Sequence, residues 1–123
     1  MLTQRENDHL TEKVIGFAIE VHRQLGPGLL ESAYEECLCY ELGQGGRTFR
    51  RQVPCKAIRL DCGYRIDVVV EEQVILELKT VERLMPIHEA QILTYLKLSG
   101  LHTGLLLNFN SAVSKDGMRR IML

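Results

Sequence analysis

Residues 63–79 read GYRIDVVVEEQVILELK, and the fold turns on how this stretch pairs with itself. It holds two β-rich runs around a short acidic turn, with Val68, Val69 and Val70 closing the first and Val74, Ile75 and Leu76 opening the second. β-Branched residues in this density suit a pleated, buried setting. Asp67, Glu77 and Lys79 interrupt it. Residues directly opposite in an antiparallel hairpin share a face. A two-residue loop at Glu71 and Glu72 pairs Val70 with Gln73 and sends Asp67 and Glu77 to opposite faces. A three-residue loop pairs Val70 with Val74 and sets Asp67 against Glu77, with Lys79 further along the same face. Ile66, Val68, Val70, Val74, Leu76 and Leu78 then take the other face. Only this second register sorts polar from apolar, and a one-residue slip undoes it. The loop lacks the glycine usual in three-residue turns.

Two opposed carboxylates repel unless positive charge lies between them. Lys79 supplies part of that charge, and a divalent cation supplies more. Mg²⁺ favours a few carboxylate oxygens completed by water or phosphate. From the hairpin alone, a solvated face with a Glu–Lys surface pair reads equally well.

The chain has 123 residues, enough for one domain, 1–123, with its own core. Its 46% hydrophobic and 25% charged content is that of an ordinary globular protein. A net charge of −1 gives no global basic signal, so nucleic-acid binding requires a local patch. No apolar run approaches the ~20 residues that span a bilayer, so no membrane role is expected. The polar start MLTQRENDHL is unlike a signal peptide, which favours a cytoplasmic protein. Cys37, Cys39, Cys55 and Cys62 contain no CxxC pair and read as thiols in a reducing compartment. His9, His22, His88 and His102 are scattered, with no HExxH.

Helical spacing of Val14, Phe17, Ala18 and Val21 predicts a helix over 11–24, with Thr11 as its cap, broken by Gly26-Pro27-Gly28. A second helix is expected over 29–42, with Leu30, Ala33, Tyr34, Cys37 and Leu38 on one stripe. Glu31 in its first turn suits the helix dipole, and Tyr34 reads as a core aromatic with a satisfied hydroxyl. GQGG, at 43–46, precedes a strand and is no phosphate loop. A strand over 47–53 follows, held to an edge or an end by Pro54, with a turn near Cys55 and Lys56. Arg47, Arg50, Arg51, Lys56 and Arg59 fit a phosphate patch and a charged, aggregation-resistant edge about equally. Pro86 opens a third helix that stops at Gly100, with Ala90, Leu93, Leu96 and Ile92 as its apolar side. Gln91 and Tyr95 share a face, and His88 leans the same way. TGLLLNF, 103–109, is a further strand, 114–117 a turn, and 118–122 a short last strand or tail. A helix between Lys79's strand and this one implies a parallel crossover, hence an α/β domain with a mixed β-sheet flanked by helices.

Gly28-Leu29-Leu30-Glu31-Ser32-Ala33-Tyr34 matches GxxExxY in full, and RQVP, LDCGYRID, ELK, HEAQILTYLKL, LLLNFN and KDGMRRI extend the likeness. The chain resembles the small bacterial GxxExxY proteins of the PD-(D/E)XK nuclease-like superfamily over about residues 10–121. The resemblance implies a restriction-endonuclease-like core, ordered α-α-β-β-β-α-β. It makes Asp67 and Glu77 metal ligands, Lys79 the catalytic lysine and Glu31 the helix carboxylate that completes the site. Gln91 and Tyr95 match a QxxxY that lines the site in some relatives, with His88 a weaker correspondence. Residues 53–63 depart from the pattern in being shorter, which trims the first hairpin.

The function so implied is hydrolysis of phosphodiester bonds, DNA being the expected nucleic acid. Mg²⁺ or Mn²⁺ is held by Asp67, Glu77, the Leu78 carbonyl and Glu31, directly or through water. Lys79 orients the attacking water and stabilises developing charge, with Gln91 and Tyr95 positioning water or phosphate. So small a nuclease calls for a homodimer or a partner to supply specificity. A catalytically silent module binding nucleic acid or protein on the same fold is the main rival, and a structural homodimer is a third.

Overall fold

Thr3 starts the first helix through a capping box: its hydroxyl accepts the Glu6 N–H and the Glu6 carboxylate accepts the Thr3 N–H, both at 3.1 Å. Helix α1 runs Gln4–Leu25, two turns longer than the apolar spacing predicts. Thr11 is not its cap; it is buried, and its hydroxyl donates to the Asn7 carbonyl. The added turns are held by a tertiary contact, since Thr103 donates to the buried Asn7 side chain at 2.9 Å. This computed structural model describes residues 3–57, 60–110 and 117–123, with side chains left out at 56, 57 and 60–63. The expected contributions of Arg59, of the Lys56 and Cys62 side chains and of the turn at 114–116 lie outside those residues.

After α1, Gly26 and Gly28 take left-handed backbone (φ 67° and 96°), which β-carbon-bearing residues resist. Helix α2 spans Glu31–Gln44. The Tyr34 hydroxyl reaches back to close the loop, donating to the Gly26 carbonyl at 2.6 Å and accepting the Leu29 N–H at 3.1 Å. Its ring stacks on Phe109 with centroids 4.6 Å apart. Leu30, expected on the apolar stripe, is 78% exposed as the residue before the helix.

Strands β1 (Phe49–Ala57), β2 (Leu60–Val70) and β3 (Val74–Lys79) form the expected meander. Helix α3 (Pro86–Ser99) then crosses to β4 (Thr103–Asn108), and β5 (Met118–Met122) ends the sheet. The spatial order is β1-β2-β3-β4-β5, with β3–β4 parallel and the other neighbours antiparallel. β1 is the edge strand, where Pro54 is tolerated, but it continues through Cys55 and Lys56, where a turn was expected.

Strand alternation splits the core in two. Val68, Val70, Val74, Leu76 and Leu78, with Leu105 and Leu107, pack under α1 and α2. Val69, Ile75 and Leu106 pack under α3 through Ile92, Tyr95 and Leu96. Leu93 and Ala90 lie on the exposed side of α3, not the buried one. Gly104 lets α3 approach, because a β-carbon there would fall 2.6 Å from Ile92 Cδ1. That close packing brings the Gln91 and Tyr95 face of α3 down onto β3.

Candidate active site

The β2–β3 hairpin adopts the polar-sorting register: Val68, Val69 and Val70 pair with Leu76, Ile75 and Val74. Glu71 and Glu72 supply the turn with left-handed backbone (φ 54° and 56°) despite the absence of glycine. Such residues cost roughly 1 kcal/mol each, and Thr48, just before β1, and Arg50 on β1 brace the turn. Thr48 donates to the Glu71 carboxylate at 2.7 Å and accepts the Glu71 N–H at 2.9 Å. Arg50 grips Glu72 through two bonds of 2.6 and 2.8 Å.

The ladder opens at Asp67. β1 and β2 pair at Arg51–Val68 and at Val53–Ile66, but Gln52 and Asp67 between them do not pair. Gln52 has a φ of 49°, a left-handed kink at an ordinary residue. Beyond this break Ile66 packs in the α3-side cluster, not with Val68 and Val70 as strict alternation predicts. On the β3 side each carboxylate fills a gap left in the ladder. The Asp67 N–H donates to Glu77 Oε1 at 3.2 Å, and the Leu78 N–H donates to Asp67 Oδ2 at 2.9 Å.

Glu77 is 2% exposed and Asp67 half-buried, so this is no solvated surface pair. Burial, then the charge of Asp67, pushes the Glu77 carboxyl up to about 9. Burial also raises Asp67, against the Leu78 N–H that favours its ionised form. Lys79 lowers both but does not outweigh burial, and it forms no ion pair with either carboxylate. Its amine donates to Gln91 Oε1 at 2.6 Å, and Gln91 Nε2 donates to the Tyr95 hydroxyl at 3.1 Å. Burial, followed by the charge of Glu77, raises Tyr95 in turn. The end of β3 is fixed by Asn108, which donates to the Val81 carbonyl and accepts its N–H. The Phe109 N–H bonds the Lys79 carbonyl.

Asp67, Glu77, Lys79, Gln91 and Tyr95 therefore form one connected group. Glu31 does not join it: it is exposed in the first turn of α2, with no hydrogen bond or ion pair to any described residue. The α2 carboxylate whose charge reaches Asp67 is Glu35, one turn later. It is buried, accepts from Arg51 at 2.7 and 3.0 Å, and accepts from Gln52 at 2.7 Å. Its spacing four residues after Glu31 puts both on one helix face, the signal by which it could have been found. His88 caps α3, its Nδ1 accepting the Met85 N–H at 2.8 Å. Tyr64, which carried no role in the sequence reading, stands edge-on to Tyr95 with ring centroids 6.0 Å apart.

The arginines resolve an ambiguity. Arg47 faces Glu71, Arg50 holds Glu72, and Arg51 bridges Glu35 and Glu36. They tie the edge strand to the turn and to α2, so the phosphate-patch reading loses these three. Cys39 is an inert thiol, pushed up to about 11 by burial.

The donor set fits a hard divalent cation. A buried and a half-buried carboxylate that cannot both ionise comfortably need added positive charge. No third Asp, Glu, His or Cys joins them among the described residues, so oxygens of backbone, water or phosphate would complete a shell. The Leu78 N–H points to the Asp67 side while the Lys79 carbonyl pairs with β4. In an extended strand the two backbone groups of one residue lie on one edge, so the Leu78 carbonyl is directed toward Asp67.

A family model described as the PD-(D/E)XK nuclease superfamily matches residues 8–121. No curated protein and no solved structure matches the chain.

Proposed function

The chain belongs to the PD-(D/E)XK nuclease superfamily, and from that premise we propose that it is a metal-dependent phosphodiesterase acting on DNA. Its five-stranded mixed sheet flanked by helices is a restriction-endonuclease-like architecture. Nucleases of this superfamily generally use divalent ions on nucleic acid. Gly28, Glu31 and Tyr34 support the narrower grouping with GxxExxY proteins. Two of these have a structural job here, Gly28 in the loop and Tyr34 closing it.

The observation that carries the reading is the hydrogen-bonded pair of buried Glu77 and half-buried Asp67, within the electrostatic reach of Lys79 on the same strand as Glu77. Asp67, Glu77 and the Leu78 carbonyl would hold Mg²⁺ or Mn²⁺, with Glu31 or Glu35 acting through water. The bound ion would lower the pKa of water and offset charge on the phosphoryl oxygens. Lys79 follows Glu77 by two residues on β3 and is held by Gln91, from where it would orient the nucleophile and meet the developing anion. Tyr95 fixes the Gln91 amide by accepting from it, which leaves the phenol proton as a donor toward substrate. Glu35 holds the Gln52 side chain at the kink opposite Asp67.

No helix among the described residues is long and apolar enough to cross a membrane. A single cytoplasmic domain, acting as a homodimer, is the working form we propose.

The test is cleavage of single- and double-stranded DNA and RNA with Mg²⁺ or Mn²⁺. Lys79→Ala is expected to lower the rate at least about a hundredfold, as loss of a transition-state charge donor does. Equal cleavage by wild type and variant, or none of any substrate, removes the proposal. In the second case calorimetry with Mn²⁺ distinguishes a silent binding module, which need not take up the ion.

A further inference from the structure

Beside the acidic pair lies a cavity of about 410 Å³, lined by Tyr64, Ile87, His88, Gln91, Thr94 and Tyr95 among others. It shares two residues with the site, since Gln91 accepts from the Lys79 amine and donates to Tyr95, and both line the cavity. Its character is different. No lysine, arginine or carboxylate lines it among the described residues, so none of those residues offers a phosphate a charged partner there. It offers instead large flat or apolar surfaces left open to solvent: Tyr64 is 47% exposed and Ile87 70%. Tyr64 meets Tyr95 edge-on, and with its ring about half exposed it is available for stacking.

The polar groups on the wall are few and oriented. His88 Nδ1 accepts the Met85 N–H, which places the neutral ring's proton on Nε2 as a free donor. The Thr94 hydroxyl spends its proton on the Ala90 carbonyl at 2.8 Å, leaving lone pairs to accept. A largely apolar slot with a few fixed donors and acceptors, next to the proposed phosphodiester site, matches a planar heterocycle on the same strand. We propose that this cavity is a nucleobase subsite. In it Tyr64 stacks an unpaired base of the strand being cut, and His88 and Thr94 contact the base edge. The proposal rests on the nuclease reading above and extends it to a substrate class. A base inside a duplex cannot present its face to Tyr64, so single strands, or strand ends that fray, are preferred over intact duplex.

The experiment compares wild type, Tyr64→Ala and Tyr64→Phe on a single-stranded oligonucleotide and on its duplex, with Mn²⁺. Tyr64 is half-exposed, so the alanine variant is expected to melt like wild type. Its KM for the single strand should rise about tenfold, the scale of one base–aromatic stack, while its KM on duplex stays within about twofold. Tyr64→Phe should restore the single-strand value. Substrates with one abasic residue should weaken wild type by the same factor and Tyr64→Ala no further, because both remove the same stack. Normal single-strand KM for Tyr64→Ala, or an equal rise on both substrates, overturns the subsite and leaves the nuclease reading standing. If wild type cleaves nothing, the nuclease reading falls. Fluorescence anisotropy of the labelled single strand in EDTA then decides the subsite alone: about tenfold weaker binding by Tyr64→Ala sustains it, and equal or absent binding ends it.

Discussion

Glu77→Gln is expected to make the metal-free protein more stable at neutral and alkaline pH. The wild-type carboxyl is buried and raised from an ordinary value of 4.5 to about 9. A carboxyl whose folded pKa is raised binds more protons folded than unfolded. Its contribution is fully present below about 4.3, the usual unfolded value, and is lost as pH climbs toward 9. Each pH unit in that window removes about 1.4 kcal/mol, so a change from pH 4.5 to 7.5 removes on the order of 4 kcal/mol. An unfolding entropy of about 2.1 cal/mol/K per residue over 123 residues converts this to roughly 15 °C in Tm. Glutamine keeps Oε1 to accept the Asp67 N–H and has no proton to lose. The assay is thermal unfolding in EDTA from pH 5 to 9. Wild type should melt progressively lower as pH rises, whereas Glu77→Gln should stay nearly flat and exceed it by pH 8. Mg²⁺ at about 10 mM should lift wild type at pH 8 by binding the folded state, and the variant little. Parallel pH profiles for the two proteins, or a variant less stable at pH 8, would refute the account of Glu77 as a frustrated buried acid.

Arg51→Ala leaves the buried Glu35 with Gln52 as its remaining partner, and urea unfolding should register a loss of about 3 kcal/mol, typical of a broken buried pair. Arg50→Ala removes an exposed pair with Glu72 that braces the turn; it should cost less than about 1 kcal/mol by urea unfolding and leave single-strand KM unchanged, whereas a large KM rise would restore the phosphate-patch reading. Tyr34→Phe loses both hydrogen bonds that close the Gly26–Leu29 loop and should cost about 1–2 kcal/mol by denaturant titration. Gly104→Ala forces a β-carbon against Ile92; it should destabilise by roughly 1–3 kcal/mol and, by lifting α3, lower cleavage more than an equally destabilising change on α1.

Much of the architecture was legible because it is local. The alternation around Glu71–Gln73 admits one register that buries valines and gathers carboxylates, and the structure has that register. The crossover through α3 followed from a helix lying between two apolar strands. Gln91 and Tyr95 could be placed together because one helical turn separates them, and they are bonded. Failures of reading came where partners lie far apart in the chain. α1 starts at Thr3's cap because Asn7 meets Thr103. Ile66 changes sides because Gln52, on another strand, kinks opposite Asp67.

The sequence by itself singled out the candidate residues, since residue type and strand parity group Asp67, Glu77 and Lys79 on one face. Only the tertiary structure decided how readily Asp67 and Glu77 ionise, because a pKa depends on burial and on neighbours from other elements. It also decided that three arginines are occupied within the fold, that Glu35 and not Glu31 presses its charge on Asp67, and that Tyr64 flanks the site. Periodicity along one chain segment carries no information about which distant segment will cover it, and packing supplies that choice.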